Sequence, residues 1–148
     1  MRVVTTIHVN QPPELVFDFV TTPGNWPRWH PSSLRVTGQV EHPLDVGEQA
    51  TEEFRVAGMN GTAVWTVRER QPPARWVIDG VGENRTGATI TYTLTPHERG
   101  TTFERELVFT QLPPLPEQAL TEFHRQVEAK SAEALRRLKA VLEGGGPS

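Results

Sequence analysis

ATITYTLT, residues 88 to 95, decides how this chain folds. Ala88, Ile90, Tyr92 and Leu94 alternate with Thr89, Thr91, Thr93 and Thr95, and a two-residue period is the mark of a strand with one apolar and one wet face. The same kind of segment recurs on both sides: LRVTGQVE (34–41), EQATEEFRVA (48–57), TAVWTVRER (62–70), ARWVIDGV (74–81) and TTFERELVFT (101–110). Between them stand HPLDVG, GMNG, QPPA, GENRTG and PHERG, all rich in turn-forming residues. Links this short join antiparallel neighbours, because a parallel pair needs a crossover of roughly a dozen residues or more. The middle of the chain therefore predicts a six-stranded meander.

Ahead of it, Arg2 to Val9 is β-branched with Val3, Thr5, Ile7 and Val9 on one face, a seventh strand. Pro12-Pro13-Glu14 opens a short helix through Leu15, Val16, Phe17 and Phe19, since proline costs nothing in a first helical turn. A second helical piece, GNWPRWHPSS (24–33), is held to a turn or two by Pro27 and Pro31. Trp26 and Trp29, three apart, share a side of that turn and predict a brace at the open end of the sheet, with His30 at its lip. Behind the meander, Leu120, Phe123, Val127, Ala134, Leu138 and Val141 recur at helical spacing and predict one long helix from Glu117 to Glu143. At about 1.5 Å per residue that helix needs a wide sheet to cover its apolar stripe.

At 148 residues the chain is the size of one ordinary domain, expected over residues 1–143 with 144–148 as a flexible Gly-rich tail. A net charge of −3 with no Lys/Arg stripe speaks against nucleic acid as a partner. With no cysteine there are no disulfides, thiolate nucleophiles or Cys-bound metals, which suits the cytoplasm. No signal-peptide core and no apolar run of membrane-spanning length is present, so neither processing nor membrane insertion is expected.

In this order and spacing, five pieces resemble the START-related helix-grip superfamily (SRPBCC), and within it the polyketide cyclase/dehydrase and lipid-transport type family. They are Pro12 to Phe17, Trp26-Pro-Arg-Trp29-His-Pro31, Glu69-Arg-Gln-Pro-Pro-Ala-Arg-Trp76, Tyr92-Thr-Leu-Thr-Pro96 with Gly100-Thr101, and the final helix. The resemblance spans about residues 2 to 142. It implies an α+β helix-grip fold: a seven-stranded antiparallel sheet curled around a long C-terminal helix, two short helices between strands 1 and 2, and an internal cavity for an apolar, aromatic or lipid-like ligand. Such a fold supplies a pocket without fixing a chemistry.

Strand parity nominates the pocket residues. Arg105 shares a face with Phe103, Leu107 and Phe109, and Glu52 shares one with Phe54 and Val56. A charge on an apolar face needs a partner, so Glu52 and Arg105 either pair with each other or meet a ligand. Trp65, Trp76, Ile78 and Tyr92 fall on apolar faces of neighbouring strands, where a ring with one polar atom suits a ligand wall as well as a plain core. Met59 caps one end from the GMNG turn, while Phe123, His124 and Val127 face inward from the helix and Trp29 and His30 from the elbow. Of these, Arg105, Glu52, His30 and Tyr92 are the candidates for catalysis.

Other chemistries drop out. No HxxxH or HxxxxH pair is present, so no dedicated metal site is expected. The glycines of Gly80-Val-Gly82-Glu-Asn-Arg-Thr-Gly87 lie between two strands with no helix following, which makes the stretch a hairpin and not a dinucleotide loop. No GxSxG elbow occurs. The expected function is binding of a small hydrophobic molecule in the cavity by a monomer or homodimer without a cofactor. The rivals are a polyketide cyclase/dehydratase using the same cavity and an interaction module without ligand.

Overall fold

The structure, a computed structural model, describes residues 1–144, so all but the first residue of the expected tail lies outside the described residues. The alternation of ATITYTLT becomes the inner row of β6 (Gly87–His97), where Ala88, Ile90, Tyr92 and Leu94 are buried and the threonines face outward. With β1 (Arg2–Val9), β2 (Ser33–Gly38), β3 (Gln49–Val56), β4 (Met59–Gln71), β5 (Arg75–Gly82) and β7 (Gly100–Gln111) it forms one antiparallel sheet, in the order β1-β7-β6-β5-β4-β3-β2. The six-stranded meander is thus extended by β1, which pairs with β7 over its whole length. Two short helices, α1 (Pro13–Val20) and α2 (Trp26–Trp29), link β1 to β2, and α3 (Glu117–Leu142) closes the concave face. This is the seven-stranded α+β helix-grip architecture.

Three local details differ from the sequence expectation. β2 stops at Gly38, whose φ of +103° turns the chain out of the sheet, so Gln39, Val40 and Glu41 are not strand. The β3–β4 turn is Ala57-Gly58, both at positive φ between the paired Val56 and Met59, a two-residue hairpin whose twist matches the strands. Met59 therefore begins β4 and does not sit in the turn. Last, α3 ends at Leu142, with Glu143 as its cap.

The C-terminal end of α3 is hydrogen-bonded to β1 and the segment that follows it. Lys139 donates to the His8 carbonyl (2.8 Å), the Asn10 N–H donates to Glu143 (2.8 Å), and Gln11 donates to the Leu142 carbonyl (2.8 Å). Its C-terminal half also buries Ala134, Leu135 and Leu138. The α1–α2 elbow is anchored to the β2–β3 link, where the Gly24 N–H donates to the Val40 carbonyl (2.8 Å) and the Leu44 N–H to the Thr21 carbonyl (3.1 Å). A side chain on Gly24 would collide with that same Val40 carbonyl. With both anchors at one end, the other end of the sheet and the N-terminal half of α3 are left to enclose space.

Candidate functional site: an apolar cavity crossed by an arginine

Between the concave face and α3 lies a cavity of about 240 Å³. Its inner end is aromatic. Trp29, Tyr92 and Phe103 meet with ring centroids 5.0 to 6.3 Å apart, and Trp76 stacks behind Tyr92 at 5.3 Å. Its mouth is marked by the exposed Met59 and Glu83 at the β3–β4 and β5–β6 ends, and Glu83 fixes that rim by accepting the Thr62 N–H (3.0 Å).

Sheet and helix impose three levels on this space. Tyr92 on β6 pairs with Arg105 on β7, and Arg105 reaches across to Ser131 on α3, donating to its hydroxyl at 3.3 Å. One step outward Ile90 pairs with Leu107, and Val127 lies one helical turn along α3. A further step brings Ala88, Phe109 and Phe123, the last two edge to face at 5.5 Å. Two residues of strand and four of helix both advance about 6 to 7 Å, which keeps the three elements in step.

Two strand glycines keep the wall thin. The Trp65 ring lies flat on its cross-strand partner Gly80, and the Phe54 ring on Gly61; a Cβ would come within 2.5 Å and 2.6 Å of those rings. These glycines carry no chemistry, and a glycine opposite an aromatic in a strand pair was the signal the sequence offered for a ring laid against the backbone.

Charge is where the site departs from a plain core. Arg105 is only 6% exposed and, among the described residues, makes no ion pair and leaves its Nε without a partner; it donates to the Ser131 hydroxyl and lies beside the Tyr92 hydroxyl, whose burial-raised pKa it lowers. The expected pairing with Glu52 is therefore not made. Glu52 keeps its inward parity, because the β3–β4 register is regular, but it accepts the Trp65 indole N–H instead (3.1 Å). Burial raises the Glu52 pKa, outweighing the hydrogen-bonding and Arg105 contributions that would lower it. Burial likewise pushes Tyr92 up to about 12, so its hydroxyl stays protonated.

His30 lines the cavity and is half-buried. Burial, then the positive charges of Arg105, Arg137 and Lys130, hold its pKa well below the ordinary 6.5, and its Nδ1 accepts the Ser32 N–H (3.1 Å). A neutral imidazole with Nδ1 used as acceptor carries its proton on Nε2, so His30 presents a donor to the cavity. Arg105, His30 and Tyr92 thus line it with hydrogen-bond donors. Trp29 and Ser32 add buried polar atoms, the indole Nε1 and the Oγ, that have no partner.

Of the residues nominated from sequence, Trp29, His30, Glu52, Phe54, Met59, Trp65, Ile78, Tyr92, Arg105, Leu107, Phe123 and Val127 line this space. Trp76 does not: it is wholly buried behind Tyr92, with its N–H on the Leu44 carbonyl (3.1 Å) and Trp26 against its ring, so it belongs to the core. His124 does not either: its ring lies beside Glu128 one turn along α3 (3.8 Å), half-exposed with Nε2 buried. Trp26, read as a brace, is a brace by its N–H bond to the Val20 carbonyl (3.0 Å), yet it and Trp29 touch the cavity's inner end and not its open one. Ser131, which the helical spacing sets beside the Phe123–Val127–Ala134 stripe, also lines the site, as does Ser32, which no motif announces. Among the described residues no three His, Asp or Glu side chains gather as a metal site, and no helix is long and apolar enough to cross a membrane.

Comparison with known proteins agrees with this geometry. Residues 1–143 match the family described as polyketide cyclase/dehydrase and lipid transport. The chain belongs to that family. A START superfamily protein from Mycobacterium smegmatis superposes with a TM-score of 0.73 at 13% identity, covering 97% of each chain. CV1439 from Chromobacterium violaceum gives 0.69 at 19% identity, over 99% of this chain and 98% of that one. The Aha1 dimer from Colwellia psychrerythraea gives 0.67 at 19%, over 99% of both chains. At such identities the likeness establishes the shared fold alone. No curated protein matches the chain.

Proposed function

We propose that this member of the polyketide cyclase/dehydrase and lipid transport family binds a small apolar or aromatic molecule inside the cavity between sheet and α3. The observation that carries the reading is a space of about 240 Å³, open at a mouth, whose wall is mostly apolar with a few convergent polar groups, among them Arg105, His30 and Glu52. Ligand pockets are built that way, at roughly 300 Å³ and above for drug-sized molecules, so this one suits a compact ligand. Trp29 and Trp65 on its wall offer an intrinsic probe. Titration with fatty acids, flavonoids and polyketide mimics should quench or shift their fluorescence saturably. Ala63→Trp, which fills the wall beside Glu52, should abolish the response while the protein remains folded. No saturable response to any of these would overturn the reading.

A second reading is favoured by one feature, the inward carboxyl of Glu52 with its pKa raised by burial. A carboxylic acid kept neutral in an apolar site can donate a proton, and in a cyclase or dehydratase Glu52 would be the acid while Arg105 and Tyr92 polarise a carbonyl. Product formation lost in Glu52→Gln with ligand binding retained would support turnover; binding without any product from polyketide mimics would reject it.

A further inference from the structure

Resting on the cavity reading above, we propose that the ligand is an anionic amphiphile bound head-in, its acid group on Arg105 at the inner polar level and its apolar tail running past Leu107 to Phe109 and Phe123 at the mouth. The guanidinium is the reason. It is 6% exposed and spans the cavity from β7 to α3 with a free Nε and no carboxylate partner among the described residues. An unpaired buried cation is costly to the fold, and a bound oxyanion converts that cost into charge-assisted hydrogen bonds.

The surrounding groups select in the same direction. The His30 Nε2–H and the Tyr92 hydroxyl can donate, and the nearest acid, Glu52, is engaged by Trp65 and does not reach Arg105. A neutral ligand would leave the guanidinium unsatisfied, and a cationic one would add a second like charge to the same low-polarity space. Orientation follows from the order of the levels. Polar groups lie inside and two successive apolar levels lie outside, so a tail can only run outward, over about 12 to 14 Å between Arg105 and Phe109 along β7.

The test is a set of matched pairs titrated calorimetrically into the full chain: decanoate against decanol, and naphthylacetate against naphthylethanol. The acids should bind roughly 10- to 100-fold more tightly than the alcohols, the size of one charge-assisted pair. Arg105→Met should erase that preference while leaving alcohol affinity within a few-fold. Ala88→Phe, which narrows the outermost level, should weaken decanoate far more than hexanoate. Alcohols equal to acids in the unmodified protein would overturn the anion assignment and leave the cavity reading standing, whereas no binding of either class would sink both. A preference that survives Arg105→Met would overturn the role of Arg105. Equal weakening of short and long chains by Ala88→Phe would overturn the head-in orientation.

Discussion

Arg105→Met is expected to make the protein more stable, an unusual outcome for a substitution at a position 6% exposed. Methionine keeps most of the arginine stem, so the row formed with Phe103 and Leu107 stays filled and no large void opens. What disappears is a guanidinium whose polar neighbours are neutral hydroxyls, Ser131 at 3.3 Å and Tyr92, with no ion pair among the described residues. Replacing buried ionic groups by hydrophobes of like volume stabilises by about 1 to 4 kcal/mol. Against this, Ser131 is buried and loses its partner, at a cost of about 1 kcal/mol. The net expectation is a gain of about 2 kcal/mol, or about 4 to 8 °C in Tm at this chain length. Urea unfolding and a thermal scan of ligand-free protein measure it, with an unchanged m-value confirming that compactness is kept. A loss of more than about 1 kcal/mol would refute the reasoning, since it would make the Arg105–Ser131 contact a structural strut and not a group held in reserve for an anion.

Other perturbations separate the wall from the chemistry. Gly80→Ala puts a Cβ 2.5 Å from the Trp65 ring and should cost about 1 to 3 kcal/mol by overpacking, read as a lowered urea midpoint. Trp76→Ala should cost about 3 to 5 kcal/mol, because a wholly buried ring leaves a void between Tyr92 and Leu44; an effect below about 1 kcal/mol would contradict its placement in the core. His30 has a depressed folded pKa, so its contribution is complete above the ordinary 6.5 and is lost as pH falls toward the folded value, where the unfolded chain takes up the proton first. The stability of His30→Gln should therefore be flatter than that of the unmodified protein below about pH 6.5 in a series of denaturant titrations. For Glu52 the sign is opposite: with its folded pKa raised above 4.5, its contribution is present below that value and lost as pH rises through the folded pKa. Glu52→Gln should accordingly gain stability over the unmodified protein at pH 7 relative to pH 4, and an equal difference at both would contradict the assignment.

By itself the sequence determined the elements and their faces. Two-residue alternation in ATITYTLT and its neighbours, short turn-rich links, and a 3.6-residue stripe from Phe123 to Leu138 leave one economical arrangement, because each apolar face must be covered and only the sheet is wide enough to cover α3. Parity also placed Arg105, Glu52, Trp65 and Tyr92 on the inner face, since a strand side chain has only two directions to point. Tertiary structure decided how far each of them reaches and what it meets there. Trp76 and Tyr92 are cross-strand partners on one face, yet Trp26 of α2 and the Leu44 link cover the first and leave the second on the cavity, a difference set by elements distant in sequence. His30 became a hydrogen-bond donor only because the chain after α2 bends the Ser32 N–H back onto Nδ1. Likewise Glu52 and Arg105 are separated by three intervening strands of a curved sheet, so opposite charges that a sequence would pair find a tryptophan and a serine instead. Facing is a local property of the chain, whereas partnership depends on the distances that packing sets.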